Sequence, residues 1–171
     1  MIDLPDIALS VRQPWAWAIV AGHKVIENRS AGSIKAGGMD CRRIAIHAAK
    51  GLKRAEFDWG AWRLDQHGLR CPWPDELPRG CIIGAVDVVE IVSASDSEWF
   101  GGQMGLVLEN AVMCDPIPAP GALGYFRWEQ GGVIAPTASW MQSWGRGDGI
   151  TGDLFDAPPR WETPPPKPFG G

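Results

Sequence analysis

Three charged side chains lie close together in the stretch from Gly22 to Arg29, which follows the pattern G-x-K-x-x-E-x-R. Lys24, Glu27 and Arg29 supply an amine, a carboxylate and a guanidinium. A lysine acts as a base or nucleophile only where burial or a neighbouring cation lowers its pKa, and Arg29 could be that cation. Glu27 would oppose this effect by pairing with either cation. A catalytic cluster and a structural ion-pair network are therefore both open interpretations.

A second set of residues has side chains suited to nucleic-acid contacts. Arg12 and Gln13 precede a predicted helix, whose N-terminal amides favour anions. Trp15 could stack on a base or pack in the core. His47 could stack on a base or act as a general acid, or it could be a surface histidine at the end of a strand. Lys50, three residues later, could contact a phosphate.

The charge distribution favours an anionic partner. The chain has 171 residues and a formal net charge of −4. Residues 10–54 contain nine basic and two acidic side chains, a net charge of +7, whereas the remainder of the chain carries −11. Since clustered basic side chains attract phosphates, this segment predicts a nucleic-acid partner. A solvated basic face without a partner is the alternative.

The sequence argues against several classes of protein. Successive cysteines lie 30, 10 and 33 residues apart and successive histidines 24 and 20, so no local zinc-binding pair exists. Walker and dinucleotide glycine patterns are missing too, and we expect neither a metal nor a cofactor. No stretch reaches the roughly 20 apolar residues of a membrane span. The N-terminal sequence lacks the basic start of a secretory signal, which predicts a cytoplasmic protein without a membrane partner.

Short strands and helices are predicted to position these residues. Alternating or β-branched runs predict strands over residues 8–12, 25–29, 43–48, 81–92, 105–110 and 124–128. Helices are predicted from Pro14 to Gly22, over residues 52–67 with an apolar stripe of Leu52, Ala55, Trp59 and Trp62, and over residues 138–144. Gly84 suggests a bulge in its strand. The absence of regular βα repeats predicts an α+β fold around a small barrel.

The remaining segments are predicted to be irregular. Residues 30–42 read as a glycine-rich basic loop, and Pro116, Pro118 and Pro120 as a segment without regular structure. The last fourteen residues contain six prolines. We therefore predict one domain over residues 1–145, followed by an extended or disordered tail over residues 146–171.

The G-x-K-x-x-E-x-R stretch, together with residues 9–15 before it, closely resembles the ASCH domain, a branch of the PUA-like superfamily. The resemblance continues through residues 44–50, 80–87, 107–110 and 121–126, and it covers roughly residues 7–128. It implies a PUA-like small mixed β-barrel with flanking helices. It also implies a cleft, lined by the charged residues of the motif and the basic loop, that holds RNA or a nucleobase.

The resemblance implies two functions. The first is an RNA- or nucleobase-binding domain, whose partner is RNA, another single-stranded nucleic acid or a modified nucleoside. The alternative is a metal-independent hydrolase, either a ribonuclease or an amidohydrolase of acylated cytidine. In such an enzyme Lys24 would be the base or nucleophile, Glu27 a proton-transfer partner and Arg29 an oxyanion or phosphate stabiliser. Glu27 stands where the amidohydrolase branch has Thr, which argues against a simple transfer of that activity.

Overall fold

The structure, a computed structural model, describes residues 2–145, 161 and 163–168. Its strands are β1 (Ile7–Val11), β2 (Ile26–Arg29), β3 (Arg43–Ala48), β4 (Cys81–Val92), β5 (Met104–Pro118) and β6 (Tyr125–Arg127). Its α-helices are α1 (Trp15–Val20), α2 (Ala31–Ala36), α3 (Arg54–Gln66) and α4 (Ser139–Ser143), and a 3-10 helix spans Pro74–Glu76. Most of the predicted tail over residues 146–171 lies outside the described residues. Among those described, no helix is long and apolar enough to cross a membrane.

The strands form one mixed sheet in the order β2-β5-β4-β3-β1-β6. β1 pairs with β3 in parallel and all other neighbours are antiparallel. The sheet curls into a half-barrel, and each of its two end strands makes a further hydrogen bond outside the sheet ladder. The Arg29 guanidinium on β2 donates to the Ser10 carbonyl on β1 at 2.9 Å, and the Tyr125 amide on β6 donates to the Gly37 carbonyl at 2.9 Å. The predicted α+β fold class with a curled sheet is therefore confirmed.

Two main apolar clusters flank α1. The first joins α1 to the sheet through residues such as Leu9, Ile19, Ile46 and Leu106. The second joins α1 to α3 and α4, with Phe57 as a fully buried member. Because α1 lies between them, the helix that begins directly after Arg12 and Gln13 is held on both sides.

Residues 31–36 correct the prediction of a continuous loop over residues 30–42. They form α2, since the Ser30 hydroxyl accepts a hydrogen bond from the Ser33 amide at 3.1 Å and caps the helix. No residue of α2 is buried. The helix therefore depends on this local cap and carries its lysine, Lys35, on an exposed surface.

The C-terminal half of β5 corrects the prediction that prolines forbid regular structure there. β5 continues through Pro116 to Pro118, and Pro118 pairs with Cys81 on β4. β2 covers β5 only over residues 104–107, so the later part of β5 has one sheet neighbour. A proline at such an edge loses no ladder hydrogen bond when its missing N–H faces outward.

The apolar stripe predicted for α3 is partly wrong. Leu52 is buried, but Ala55 is exposed and Trp59 and Trp62 are half-buried. The buried residues of the helix are Glu56, Phe57, Gly60, Ala61 and Leu64. A Cβ on Gly60 would lie 2.5 Å from Cδ of Pro14, so the small residues, rather than the tryptophans, determine which face of α3 approaches α1.

His47 lies on β3 in the interior and not on a surface face, because residues 119–121 cover it. Its side chain is 2% exposed. Nε2 lies 2.8 Å from the Ala119 carbonyl, which can only accept, and Nδ1 lies 2.8 Å from the Ser10 hydroxyl. The neutral tautomer with hydrogen on Nε2 satisfies both contacts. Burial lowers the pKa of His47.

Substitution of Gly84 by alanine should destabilise the protein. The predicted bulge is present at Gly84, where the register shifts, and an added Cβ would lie 2.2 Å from the Val112 carbonyl and 2.7 Å from Cγ1 of Val20. We expect Gly84→Ala to reduce the free energy of unfolding by about 1–3 kcal/mol, measured by urea denaturation. Gly131→Ala, where an added Cβ meets nothing within 4 Å, is the control. Equal stability of the two variants would contradict the close contact.

The low pKa of His47 predicts acid sensitivity of the fold. The unfolded histidine takes up its proton near pH ~6.5, whereas the folded one does so only at lower pH. The free energy of unfolding should therefore fall as the pH drops from 7 to 5, with a slope of up to about 1.4 kcal/mol per pH unit. His47→Gln should flatten this slope. An identical pH profile in the variant would assign the sensitivity to other groups.

Candidate functional site

Lys24 enters the interior because α1 ends in a tight turn. Gly22 adopts a positive φ of 81°, and the Lys24 amide donates to the Ala18 carbonyl at 2.9 Å. The Lys24 side chain is only 6% exposed. Its ammonium donates to the Ile26 carbonyl and to Oε2 of Glu27, the latter at 2.8 Å. The turn thus directs a cation onto the beginning of β2.

Glu27 lies between the two cations of the motif. Its Oε1 is 3.3 Å from the Arg29 guanidinium, while its Oε2 accepts from Lys24. The same guanidinium group reaches the Ser10 carbonyl. Nε of Arg29 is buried without a hydrogen-bond partner among the described residues. The structure therefore brings Lys24, Glu27 and Arg29 into one connected network.

A cleft of about 420 Å³ opens beside this network. Three tryptophans line it: Trp15 from α1, Trp59 from α3 and Trp99 from the connection between β4 and β5. The Lys24 ammonium lies 5.9 Å from the centroid of the Trp15 ring. The polar side chains that line the cleft are Lys24, Glu27, Asn28, Arg63 and Lys167. Aromatic surfaces and hydrogen-bonding groups thus face the same space.

Asn28 holds the wall that contains Trp99. Its amide donates to the Trp99 carbonyl at 2.8 Å and accepts from the Gly101 amide at 3.0 Å. On the other side, the ring of His67, just after α3, stacks on Trp99 with centroids 3.8 Å apart and planes within 8°. Trp99 is therefore fixed between β2 and the end of α3.

The sequence analysis missed six lining residues of the cleft: Asn28, Trp59, Arg63, Trp99, Gly101 and Lys167. Asn28 lies inside the charged motif, and its position between Glu27 and Arg29 was a usable signal. Trp59 was predicted to lie in the apolar stripe of its helix. Because that stripe was assigned to the core, neither Trp59 nor Arg63 was considered as a site residue. Nothing local to Trp99 indicates that it faces the motif, since the contact spans 71 residues of sequence.

Arg12 and Gln13 lie next to the cleft, in a smaller cavity of about 250 Å³ that also involves Trp15. The Arg12 guanidinium donates to Glu56 at 2.8 Å and to the Gly51 carbonyl at 3.2 Å. Gln13 is 1% exposed; its amide accepts from the Trp17 amide and donates to the Pro78 carbonyl, both at 2.9 Å. Gln13 therefore holds the start of α1 in place. The Trp17 amide, which donates to the Gln13 side chain, is no longer free to bind an anion.

His47 and Lys50 do not join the other predicted site residues. Neither lines the cleft or the smaller cavity. His47 is buried with both ring nitrogens bonded, as described above. Lys50 is exposed, and its carbonyl accepts from the Arg79 guanidinium. Any contact of Lys50 with a ligand would lie outside the cleft.

The basic segment is partly neutralised by acidic side chains. Arg42 forms two hydrogen bonds with Asp40, at 2.5 and 2.7 Å, which lower the pKa of that carboxyl group. Arg43 pairs with Asp87 at 2.9 Å, and Asn110 also donates to Asp87. The positive charge of residues 10–54 is therefore smaller at the surface than its count suggests.

Two thiols in the described part of the chain, those of Cys71 and Cys81, are buried, and no cluster of metal-ligating side chains is found there. There, no group of three or more His, Cys, Asp or Glu side chains could hold a metal ion. Burial raises the pKa of the Cys71 thiol and raises that of Cys81 to about 11. Such thiols are packed side chains and poor nucleophiles.

The chain is similar to several known proteins. Over 85 residues the chain is 33% identical to activating signal cointegrator 1 from Homo sapiens, and the match covers 50% of this chain and 14% of that protein. A crystal structure of ASCH from Zymomonas mobilis is 18% identical, with a TM-score of 0.37 and coverage of 66% of this chain and 72% of that one. A serine-to-alanine mutant of that protein is also 18% identical, with a TM-score of 0.36 and coverage of 67% and 77%.

The match to a protein family is more extensive than the match to any of these proteins. The model of the ASCH domain family matches residues 9–130, which include the last three residues of β1, all of β2 to β6, α1 to α3 and the charged motif. On this evidence the chain belongs to the ASCH domain family.

Proposed function

We propose that the chain is an RNA-binding domain whose cleft holds a nucleobase of a single strand. The ASCH family is generally associated with RNA binding, which supports the choice of partner. The observation that carries the proposal is the cleft itself, where three tryptophans surround a space bordered by the Lys24, Glu27 and Arg29 network.

The size and lining of the cleft support a base as the ligand. Its volume of about 420 Å³ lies within the range of roughly 300–1,000 Å³ typical of small-molecule sites. Single-stranded RNA is recognised by stacking unstacked bases on aromatic rings and by hydrogen bonds to their edges. The tryptophans supply the rings, and the Lys24 ammonium retains one N–H that its contacts with Ile26 and Glu27 do not use.

The electrostatics of the cleft support a phosphate next to that base. Among the described residues, Arg63 and Lys167 line the cleft without a salt bridge, whereas Lys24 is paired with Glu27. The unpaired cations can attract a phosphate. The network of Lys24, Glu27 and Arg29 carries two positive charges and one negative charge, so it adds to this attraction.

The contacts of Lys24 place binding ahead of hydrolysis. A catalytic lysine needs a free amine for proton transfer or attack. The Lys24 ammonium instead directs hydrogen bonds to the Ile26 carbonyl and the Glu27 carboxylate. This geometry supports the structural role of the motif, which is to hold the turn after α1 against β2.

Removing the Trp99 ring should weaken RNA binding. We expect Trp99→Ala to lower the affinity for a fluorescein-labelled single strand by about 5- to 150-fold, which corresponds to the loss of about 1–3 kcal/mol of stacking. Trp99→Phe retains a ring and should recover much of the affinity. The measurement is fluorescence anisotropy, with folding verified by circular dichroism. Equal affinity of the alanine variant and the parent would contradict a base on Trp99.

The same samples test the hydrolase alternative. RNA analysed on a denaturing gel after the binding measurement should remain intact. Cleavage of RNA, or deacylation of an acylated cytidine, that is lost in Lys24→Ala would contradict a purely binding function.

Neutralising Glu27 should destabilise the fold. Glu27→Gln leaves Lys24 and Arg29 without the carboxylate that separates them, and both side chains are largely buried. Breaking a buried ion pair in this way costs about 3–5 kcal/mol in the free energy of unfolding. The matched control is Asp6→Asn, which removes the exposed pair with Arg127 and should change stability little. A similar small effect for both variants would show that the buried network contributes little stability.

A further inference from the structure

The cleft continues beyond Trp59 into the smaller cavity of about 250 Å³. The two cavities share three lining residues: Trp15, Trp59 and Lys167. Past this boundary the second cavity is lined by Arg12, Gln13, Glu56 and Pro168. A ligand that fills the cleft therefore has room to extend along the same surface.

We propose that this second cavity is a subsite for an adjacent nucleotide, so that the ligand is an RNA strand of at least two nucleotides rather than a free nucleoside. This inference rests on the proposed function, because it assumes that a base occupies the cleft. It identifies Trp59 as the stacking ring between the two subsites and Lys167 as the phosphate contact.

Trp59 has the exposure and the surroundings that a stacking ring needs. It is half-buried on α3, and Trp62 packs beside it with ring centroids 4.9 Å apart. The ammonium of Lys167 lies 5.7 Å from the centroid of the Trp59 ring. A ring that attracts a cation on its face also accepts a base there. Lys167 is exposed, so a base can displace its side chain without disrupting the core.

Lys167 lies where a phosphodiester would have to pass. Because it lines both cavities, a backbone that joins a base in one to a base in the other runs beside its ammonium. Among the described residues Lys167 forms no salt bridge, so its charge is available to a phosphate. The displaced ammonium therefore gains a new anionic partner.

Glu56, the acidic residue that lines the second cavity, does not repel a phosphate beside Lys167. The Glu56 carboxylate accepts hydrogen bonds from the Arg12 guanidinium and from the Lys53 amide, both at 2.8 Å. Its charge is therefore paired. The Arg12 side chain is 52% exposed while making this contact, so the pair has no net charge but part of the guanidinium group remains accessible from the cavity.

The test compares ligands of increasing length. Affinities for uridine monophosphate and for uridine di-, tri- and tetranucleotides are measured by isothermal titration calorimetry with the full chain. We expect the dinucleotide to bind about 5- to 150-fold more tightly than the mononucleotide, the gain from one stacked base. In Trp59→Ala the ratio of the two affinities should approach one. In the control Trp128→Ala, which removes a half-buried tryptophan that lines neither cavity, the ratio should be unchanged.

Salt dependence tests the role of Lys167 separately. For the dinucleotide, Lys167→Ala should reduce the slope of log affinity against log salt by about 0.7, as expected for one lost phosphate contact on a single strand. Lys35→Ala, which removes an exposed charge on α2, should leave the slope unchanged. An unchanged slope in Lys167→Ala would overturn the phosphate contact.

The outcomes separate this inference from the proposed function. Equal affinities for the mononucleotide and the longer ligands, with no change of their ratio in Trp59→Ala, would overturn the second subsite while leaving a nucleobase in the cleft. Absence of binding by every ligand, including the longer labelled strand, would overturn the proposed function and the subsite with it.

Discussion

The Glu27 carboxylate is the interaction on which the site depends. Lys24 leaves the turn after α1 and Arg29 lies at the end of β2, and both side chains turn inward because one carboxylate stabilises both charges. Arg29 also reaches Ser10 across the opening of the half-barrel. The same ion pairs that allow two cations to be buried therefore hold together the end of α1, strand β2 and the far side of the sheet.

The three tryptophans that line the cleft come from three separate elements, and no strand pairing connects these elements. Trp15 belongs to α1, Trp59 to α3 and Trp99 to a loop between two long strands. Their relative positions depend on the close approach of Gly60 to Pro14 and on the hydrogen bonds of Asn28 to the loop. The shape of the cleft consequently depends on tertiary packing between distant segments. The charged network beside it comes from one short sequence motif.

This division explains how far the sequence could predict the protein. Strands β3 and β4 were predicted with their observed bounds, because alternation and β-branched runs are local signals. The grouping of Lys24, Glu27 and Arg29 was also local. The burial of His47 has no local signal in the sequence, since residues 119–121, which cover it, lie more than 70 positions later. The stripe on α3 was assigned to the largest apolar residues, but a glycine in close contact decided which face was buried. Cavities formed by distant segments leave no such pattern in a single sequence.

The prolines in β5 affect how readily the edge of this strand can pair with a strand of a second molecule. Beyond the region covered by β2, this strand has an outer side without a sheet neighbour, and an edge of that kind can pair with the edge of another molecule. Pro116 and Pro118 have no N–H to offer, so a second strand finds gaps in the ladder that it would need. The residues that made this segment look irregular thus remove two donors from a long strand edge, where the Gly131 amide already donates to the Pro118 carbonyl.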